Sequence, residues 1–265
     1  MRKALLALLF CFTPLHAAEL TLELPGGTRT WDTAALLAHP QAQEVSIPDD
    51  VSYKQTMRYR AIPLAALLEG VTPAQHLQAV ALDGFAAELA AAPLLAKDGA
   101  RAWLAIEDPA RPWPPLASGK PSAGPFYLVW TDPASADIGP EQWPFQVARI
   151  RYLPSVAERF PALRPAADAS IDVQAGFTQF QKNCLACHRL NGAGDAQFGP
   201  DLNIPHNPTE YLAGDFLPRY IRDPQSLRRW PQGKMPGFSK DALSDEQLGQ
   251  LIGYLKHMAG RKVKP

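Results

Sequence analysis

Residues 184–188 read Cys184-Leu185-Ala186-Cys187-His188, two cysteines three positions apart with a histidine directly behind them. No other stretch of the 265-residue chain restricts its fold as strongly. The spacing is the attachment signature of a c-type haem. Each thiol adds to one porphyrin vinyl group, so two thioether bonds tie the ring to a single helical turn. His188 then lies under the iron as its proximal imidazole. The competing reading is half of a zinc site, which needs two further Cys or His ligands. Only the scattered His39, His76, His206 and His257 could complete it, because the remaining cysteine, Cys11, lies at the far N-terminus.

That N-terminus has the layout of a secretory signal. Arg2 and Lys3 precede an apolar run from Ala4 to Phe12, and Thr13-Pro14-Leu15-His16-Ala17-Ala18 ends in small residues. The run is too short to span a bilayer, which takes about 20 residues. Phe10 is bulky where a lipoprotein site before Cys11 needs a small residue. Cleavage near Ala17 or Ala18 is expected, giving residues 1–17 as signal peptide and an exported chain without a transmembrane segment. Cleavage removes two of the 26 basic residues and none of the 26 acidic ones, for a mature charge of about −2. No basic footprint for nucleic acid exists. With Cys11 gone, both remaining cysteines belong to the signature and none is left for disulfides, although the compartment permits them. In a bacterial source, to which signature and signal point, the location is the periplasm.

Proline supplies 27 residues, roughly twice the average share of about 5%. Clusters such as Arg111-Pro112-Trp113-Pro114-Pro115 predict long loops around short elements. Pro154, Pro161 and Pro165 mark a linker over 156–170, between a first domain at 18–155 and a second at 171–262. In the first, Glu19 to Leu24 alternates as a half-buried strand. Thr33–Ala38 and Pro63–Leu68 read as short helices, and Gln78–Leu82, Ala102–Ile106 and Phe126–Trp130 as buried strands, an α+β pattern. The second domain reads as all-α. Ile171–Asn183 leads into the signature and Phe216–Arg222 is a further helix. Ser244 and Gln247 form a capping box for a helix whose Leu248, Leu251, Ile252 and Leu255 share one face, with Gly260 beyond its end.

The flanking residues make the second domain resemble a class I cytochrome c over its whole length. Gly176 and Phe180 stand eight and four positions before Cys184, Leu251 and Tyr254 take the matching places on the last helix, and Gly199-Pro200-Asp201-Leu202 matches the loop after the signature. The resemblance implies one covalent haem c attached through Cys184 and Cys187. It also implies a Pro200 carbonyl that accepts a hydrogen bond from His188 and axial iron ligands His188 and Met235, the latter within Lys234-Met235-Pro236-Gly237-Phe238. Met258, near the end of the last helix, reads as packing or surface. His206 reads as a solvated loop histidine. Trp230 reads either as a buried aromatic or as a neighbour of a haem propionate, with an arginine pairing the charge.

The first domain resembles the molybdopterin-binding domain of the sulfite oxidase superfamily. The likeness rests on Ala61-Ile62-Pro63-Leu64, Ala81-Leu82-Asp83-Gly84-Phe85, Trp103 to Ile106, Gly119-Lys120 and Gly124 to Trp130. That family holds molybdenum through a cysteine thiolate, and no cysteine stands between Ala18 and Asn183. The resemblance therefore implies a cofactor-free derivative used for docking or as a scaffold. Asp83 reads as a turn residue, and Trp113, Trp130 and Trp143 as core or loop anchors.

These readings lead to an exported electron-transfer protein with redox protein partners, a dehydrogenase as donor and a cytochrome or oxidase as acceptor. Thioether sulfur favours ferrous iron and raises the potential, and two filled axial positions favour outer-sphere exchange over catalysis. The alternative is a haem-containing subunit or fusion of a molybdenum sulfite-dehydrogenase-like enzyme.

Overall fold

The structure, a computed structural model, describes residues 18–263; the signal-peptide reading over 1–17 lies outside them. Strand β1 (Glu19–Leu24) turns at Pro25-Gly26 and pairs antiparallel with β2 (Gly27–Asp32), burying Leu20 and Leu22 on one face. Asp32 then caps helix α1 (Thr33–Leu37), its carboxylate accepting from the Ala35 amide at 2.7 Å. Next come β3 (Gln43–Ile47), β4 (Met57–Pro63), β5 (His76–Ala81), β6 (Ala86–Ala90), helix α2 (Ala91–Leu95), β7 (Arg101–Ile106), β8 (Phe126–Thr131) and β9 (Val147–Leu153).

Five strands form one sheet in the order β2-β1-β9-β5-β6, with β1 and β9 parallel. The other four form an antiparallel sheet, β3-β4-β7-β8. A single core takes Leu20, Leu22, Leu77 and Ile150 from the first sheet and Tyr59, Leu104, Leu128 and Trp130 from the second. The first domain is thus a mixed α/β unit dominated by sheets. The helix expected at Pro63–Leu68 is not there. Ala61 to Pro63 end β4 opposite Ala105, Leu104 and Trp103, and only a 3-10 turn, Leu64–Ala66, follows. The run is apolar on every side because a central strand buries both faces, which periodicity cannot separate from a buried helix.

The segment read as a linker is packed. Helix α3 (Val156–Arg159) carries a Ser155–Glu158 capping box, and a 3-10 turn at Pro161–Leu163 follows. Val156 and Leu163 are fully buried in the second core, and Tyr254 donates its hydroxyl to the Leu163 carbonyl at 2.7 Å. Prolines that break helices here shape a close-fitting strap.

The second domain contains α4 (Ile171–Asn183), α5 (Pro208–Tyr211), α6 (Phe216–Arg222), α7 (Pro224–Leu227) and α8 (Asp245–Ala259). It is less purely helical than expected, since residues 184–207 and 228–244 run as loops with one isolated bridge, Leu190 to Ala193. The Ser244–Gln247 capping box is formed. Helix α4 crosses α8 at Gly176, where an added Cβ would stand 2.0 Å from the Gln250 carbonyl oxygen. Beside that crossing Tyr254 packs between Phe177 and Phe180, with ring centroids 5.5 and 5.4 Å away.

Polar contacts join the two domains. Gln78 donates to Asp195 at 3.0 Å, Gln142 to the Lys182 carbonyl at 2.7 Å, and Gln247 to Asp137 at 3.1 Å. Arg159, on the strap, reaches Glu88 on one side and Asp195 on the other.

Candidate functional site

Helix α4 delivers Cys184. Its amide donates to the Phe180 carbonyl at 2.9 Å, and the Cys184 carbonyl accepts from the amides of Cys187 (3.1 Å) and His188 (2.8 Å), so the signature closes as one tight turn. The following loop folds back through Gly199 N–H to the Cys187 carbonyl and Leu202 N–H to the Arg189 carbonyl, both 2.8 Å. This brings the Pro200 carbonyl 2.8 Å from His188 Nδ1. Only a protonated Nδ1 can bond a carbonyl, which leaves Nε2 with its lone pair free. Gly199 forms the floor of the ring, and a Cβ there would lie 2.5 Å from His188 Cε1. Burial pushes the imidazole below the usual histidine range, outweighing the opposite pull of the Pro200 bond, so the ring is held neutral as a metal ligand must be.

The loop is pinned by groups to which the sequence motifs assigned no role. The Asp201 carboxylate accepts from the amides of Asn191 (3.1 Å), Asn203 (2.8 Å) and Ile204 (2.9 Å). Buried Asn203 donates to Asn191 and to the Met258 carbonyl, both at 2.8 Å, and buried Asn207 donates to Asn203 and to the Leu255 carbonyl, both at 2.9 Å. This ladder fastens the His188 loop to the C-terminal end of α8. Three asparagines spaced through a loop look like ordinary turn residues in sequence; only the fold stacks them.

Neither cysteine is in a disulfide, and both are partly buried. Burial raises the Cys184 thiol far above its ordinary range, the Glu141 carboxylate and Cys187 adding to it. Burial, then Glu141 and Asp83, push Cys187 up to about 11. Among the described residues no group of three or more His, Cys, Asp or Glu side chains is arranged to hold a metal ion. A pair of thiols on one turn, a neutral imidazole with a free Nε2 and a glycine-floored cradle instead fit a covalently attached haem.

Met235 lies on the loop between α7 and α8, partly buried against the core that Cys184 also touches. Arg222 holds that loop, donating to the carbonyls of Phe238 (3.0 Å) and Ser239 (3.1 Å), while Phe238 N–H bonds the Ile221 carbonyl at 3.0 Å. Met235 also lines a cavity of about 190 Å³ with Tyr220, Pro224 and Trp230. Trp230 is exposed there, the Arg228 guanidinium 5.8 Å from its ring centroid, so the buried alternative for this indole does not hold. Met258 is in the core and His206 is exposed, 3.9 Å from Glu210. Trp130 and Trp143 are buried, and Asp83 accepts from the Phe85 amide in its turn.

Comparison with known proteins meets this geometry in the same place. Residues 173–259 match the family model described as Cytochrome c. The C-terminal part of the chain is a cytochrome c domain. It carries covalently bound haem c. Over 95 residues the chain is 33% identical to a nicotinate dehydrogenase subunit of Pseudomonas putida. That match covers 35% of this chain but only 8% of the length of that relative. Among the described residues no helix is long and apolar enough to cross a membrane.

Proposed function

We propose that this chain is an exported, periplasmic single-electron carrier. Cys184 and Cys187 form the thioether bonds, His188 and Met235 are the axial ligands, and the N-terminal domain serves as docking or scaffold module. The bound haem c supplies reversible one-electron exchange at its iron. The observation that carries the reading is the 2.8 Å contact between His188 Nδ1 and the Pro200 carbonyl, which presents Nε2 as the ligating nitrogen. Asp201 and the asparagine ladder hold that orientation, as outer-shell partners do around metal ligands generally. A dehydrogenase is the favoured donor, in keeping with the similarity to a dehydrogenase subunit, and a cytochrome or oxidase the favoured acceptor.

With both axial positions filled, the reduced, fully matured protein gives a low-spin ferrous spectrum and binds no carbon monoxide at neutral pH. Ready carbon monoxide binding by the wild-type protein overturns the carrier reading. Metal analysis of the same material addresses the enzymatic alternative: about one molybdenum per chain would replace the carrier by a molybdenum dehydrogenase with a haem relay.

A further inference from the structure

A cavity of about 320 Å³ lies where the two domains meet. The first domain lines it with His76 from β5, Glu88 from β6, Leu94 from α2 and Trp130 from β8. The second domain adds Gln181 and Lys182 from α4. Cross-domain bonds fasten these walls to each other. Gln142 donates to the Lys182 carbonyl at 2.7 Å, and Lys182 Nζ lies 2.7 Å from the Asp137 carboxylate. Ala136 and Asp137 also line the space and are exposed, so it is reached from solvent.

The charges on these walls are spent on one another. Glu88 accepts from Arg159, from Gln78 and from His76, while Lys182 is paired with Asp137. A charged occupant would give up its water without gaining a counter-ion, which is costly. Leu94 and Trp130 are buried, and the indole N–H already donates to the Gln142 carbonyl at 2.8 Å. Their part of the wall is therefore apolar. The polar atoms left over are acceptors. An ionised Glu88 can only accept, so His76 gives it the Nε2 proton and Nδ1 of the neutral ring keeps a lone pair. Gln181 donates its amide nitrogen to the Phe177 carbonyl at 3.3 Å. Among the described residues, no donor reaches His76 Nδ1 or Gln181 Oε1.

We propose that this inter-domain cavity binds a small neutral ring compound carrying a hydroxyl or N–H donor, with His76 Nδ1 accepting from that donor. A phenol is the simplest member of the class. The size agrees, since a dry cavity of roughly 150 Å³ already takes benzene. Small-molecule sites begin near about 300 Å³ and favour domain interfaces. The site goes beyond the electron-carrier reading and does not rest on it.

The test is a calorimetric titration of the fully matured full-length protein at neutral pH with phenol, anisole and benzoate. Phenol is expected to bind at one site per chain. Anisole keeps the ring but lacks the donor, and benzoate brings a charge; each is expected to bind about tenfold more weakly or worse, because a polar group is left without its partner. Ala136→Trp adds an indole at an exposed lining position, outside the core, and is expected to abolish phenol binding. Ala90→Trp, at the exposed end of β6, fills the same space from another lining position and carries the test if the first variant misfolds. No binding of millimolar phenol by the wild-type protein overturns the proposal. So does anisole bound as tightly as phenol, or phenol binding that persists in a folded Trp variant.

Discussion

The Arg159 guanidinium lies 2.7 Å from both carboxylate oxygens of Glu88, joining the strap between the domains to strand β6. Side-chain exposure is 12% for the arginine and 3% for the glutamate, so the pair is essentially dry. The same carboxylate accepts from Gln78 at 2.6 Å and is bonded by His76. Removing the arginine leaves the buried carboxylate with Gln78 and His76 as its remaining partners, so the upper bound is the roughly 3–5 kcal/mol of breaking a buried pair. Arg159→Ala is therefore expected to destabilise the folded protein by up to that amount in urea unfolding. A loss no greater than that of an exposed ion pair, about 1 kcal/mol or less, would show that the junction does not depend on it.

Acid should loosen the same junction. Burial would raise the Glu88 carboxyl, but the His76 bond and the Arg159 charge outweigh it and hold the group below its ordinary value of 4.5. A carboxyl depressed in the folded state contributes stability that is present in full above its unfolded value and lost as pH falls through its folded one. Stability is thus expected to drop below about pH 4.5, and Glu88→Gln to flatten that part of the profile. Denaturation midpoints measured across the acid range for both proteins check this; identical slopes would remove Glu88 from the account.

Helix α4 and helix α8 leave no room for a side chain at Gly176. An added Cβ would meet Gln250 backbone at 2.0 Å and the Tyr254 Cβ at 2.7 Å. Backbone cannot swing aside as a flexible side chain can, so Gly176→Ala should cost at least the roughly 1–3 kcal/mol of ordinary overpacking, despite alanine's better helix propensity. Thermal unfolding followed by circular dichroism gives the answer. A raised melting temperature would mean that propensity, not the crossing, governs this position.

That crossing was legible only through the resemblance to class I cytochrome c, which supplied Gly176 and Tyr254 as matching places on two helices, whereas helical spacing and capping are local signals. The Ser244–Gln247 cap and the extents of α4 and α8 were legible through those local signals. The first domain was harder to read. Strand β2 is exposed almost throughout and shows no alternation, while the end of β4, Ala61 to Pro63, is buried so evenly that it reads equally well as helix. Parallel pairing of β1 with β9, from opposite ends of the domain, leaves no local trace at all. At the site, the attachment turn was readable as a motif, whereas the asparagine ladder enters only when distant segments fold together.

The floor beneath His188 offers a test that leaves every proposed ligand in place. Gly199 carries no side chain where a Cβ would stand 2.5 Å from His188 Cε1 and 2.6 Å from Nδ1. Gly199→Ala must tilt the imidazole or lift the loop, and either lengthens the 2.8 Å bond to the Pro200 carbonyl. Loosening an outer-shell hydrogen bond of this kind typically costs a metal site about 10–100-fold in affinity or activity. The expected result is a matured protein with haem still covalently attached but a weakened His188 bond, seen as a high-spin fraction in the absorption spectrum and as new carbon monoxide binding. Met235→Ala separates the two sides of the iron: it should also admit carbon monoxide, but with a lowered potential, because the thioether that favours ferrous iron is gone. A Gly199→Ala protein with the wild-type spectrum would mean that the cradle yields without disturbing the ring, and that the Pro200 contact does not govern how His188 is presented.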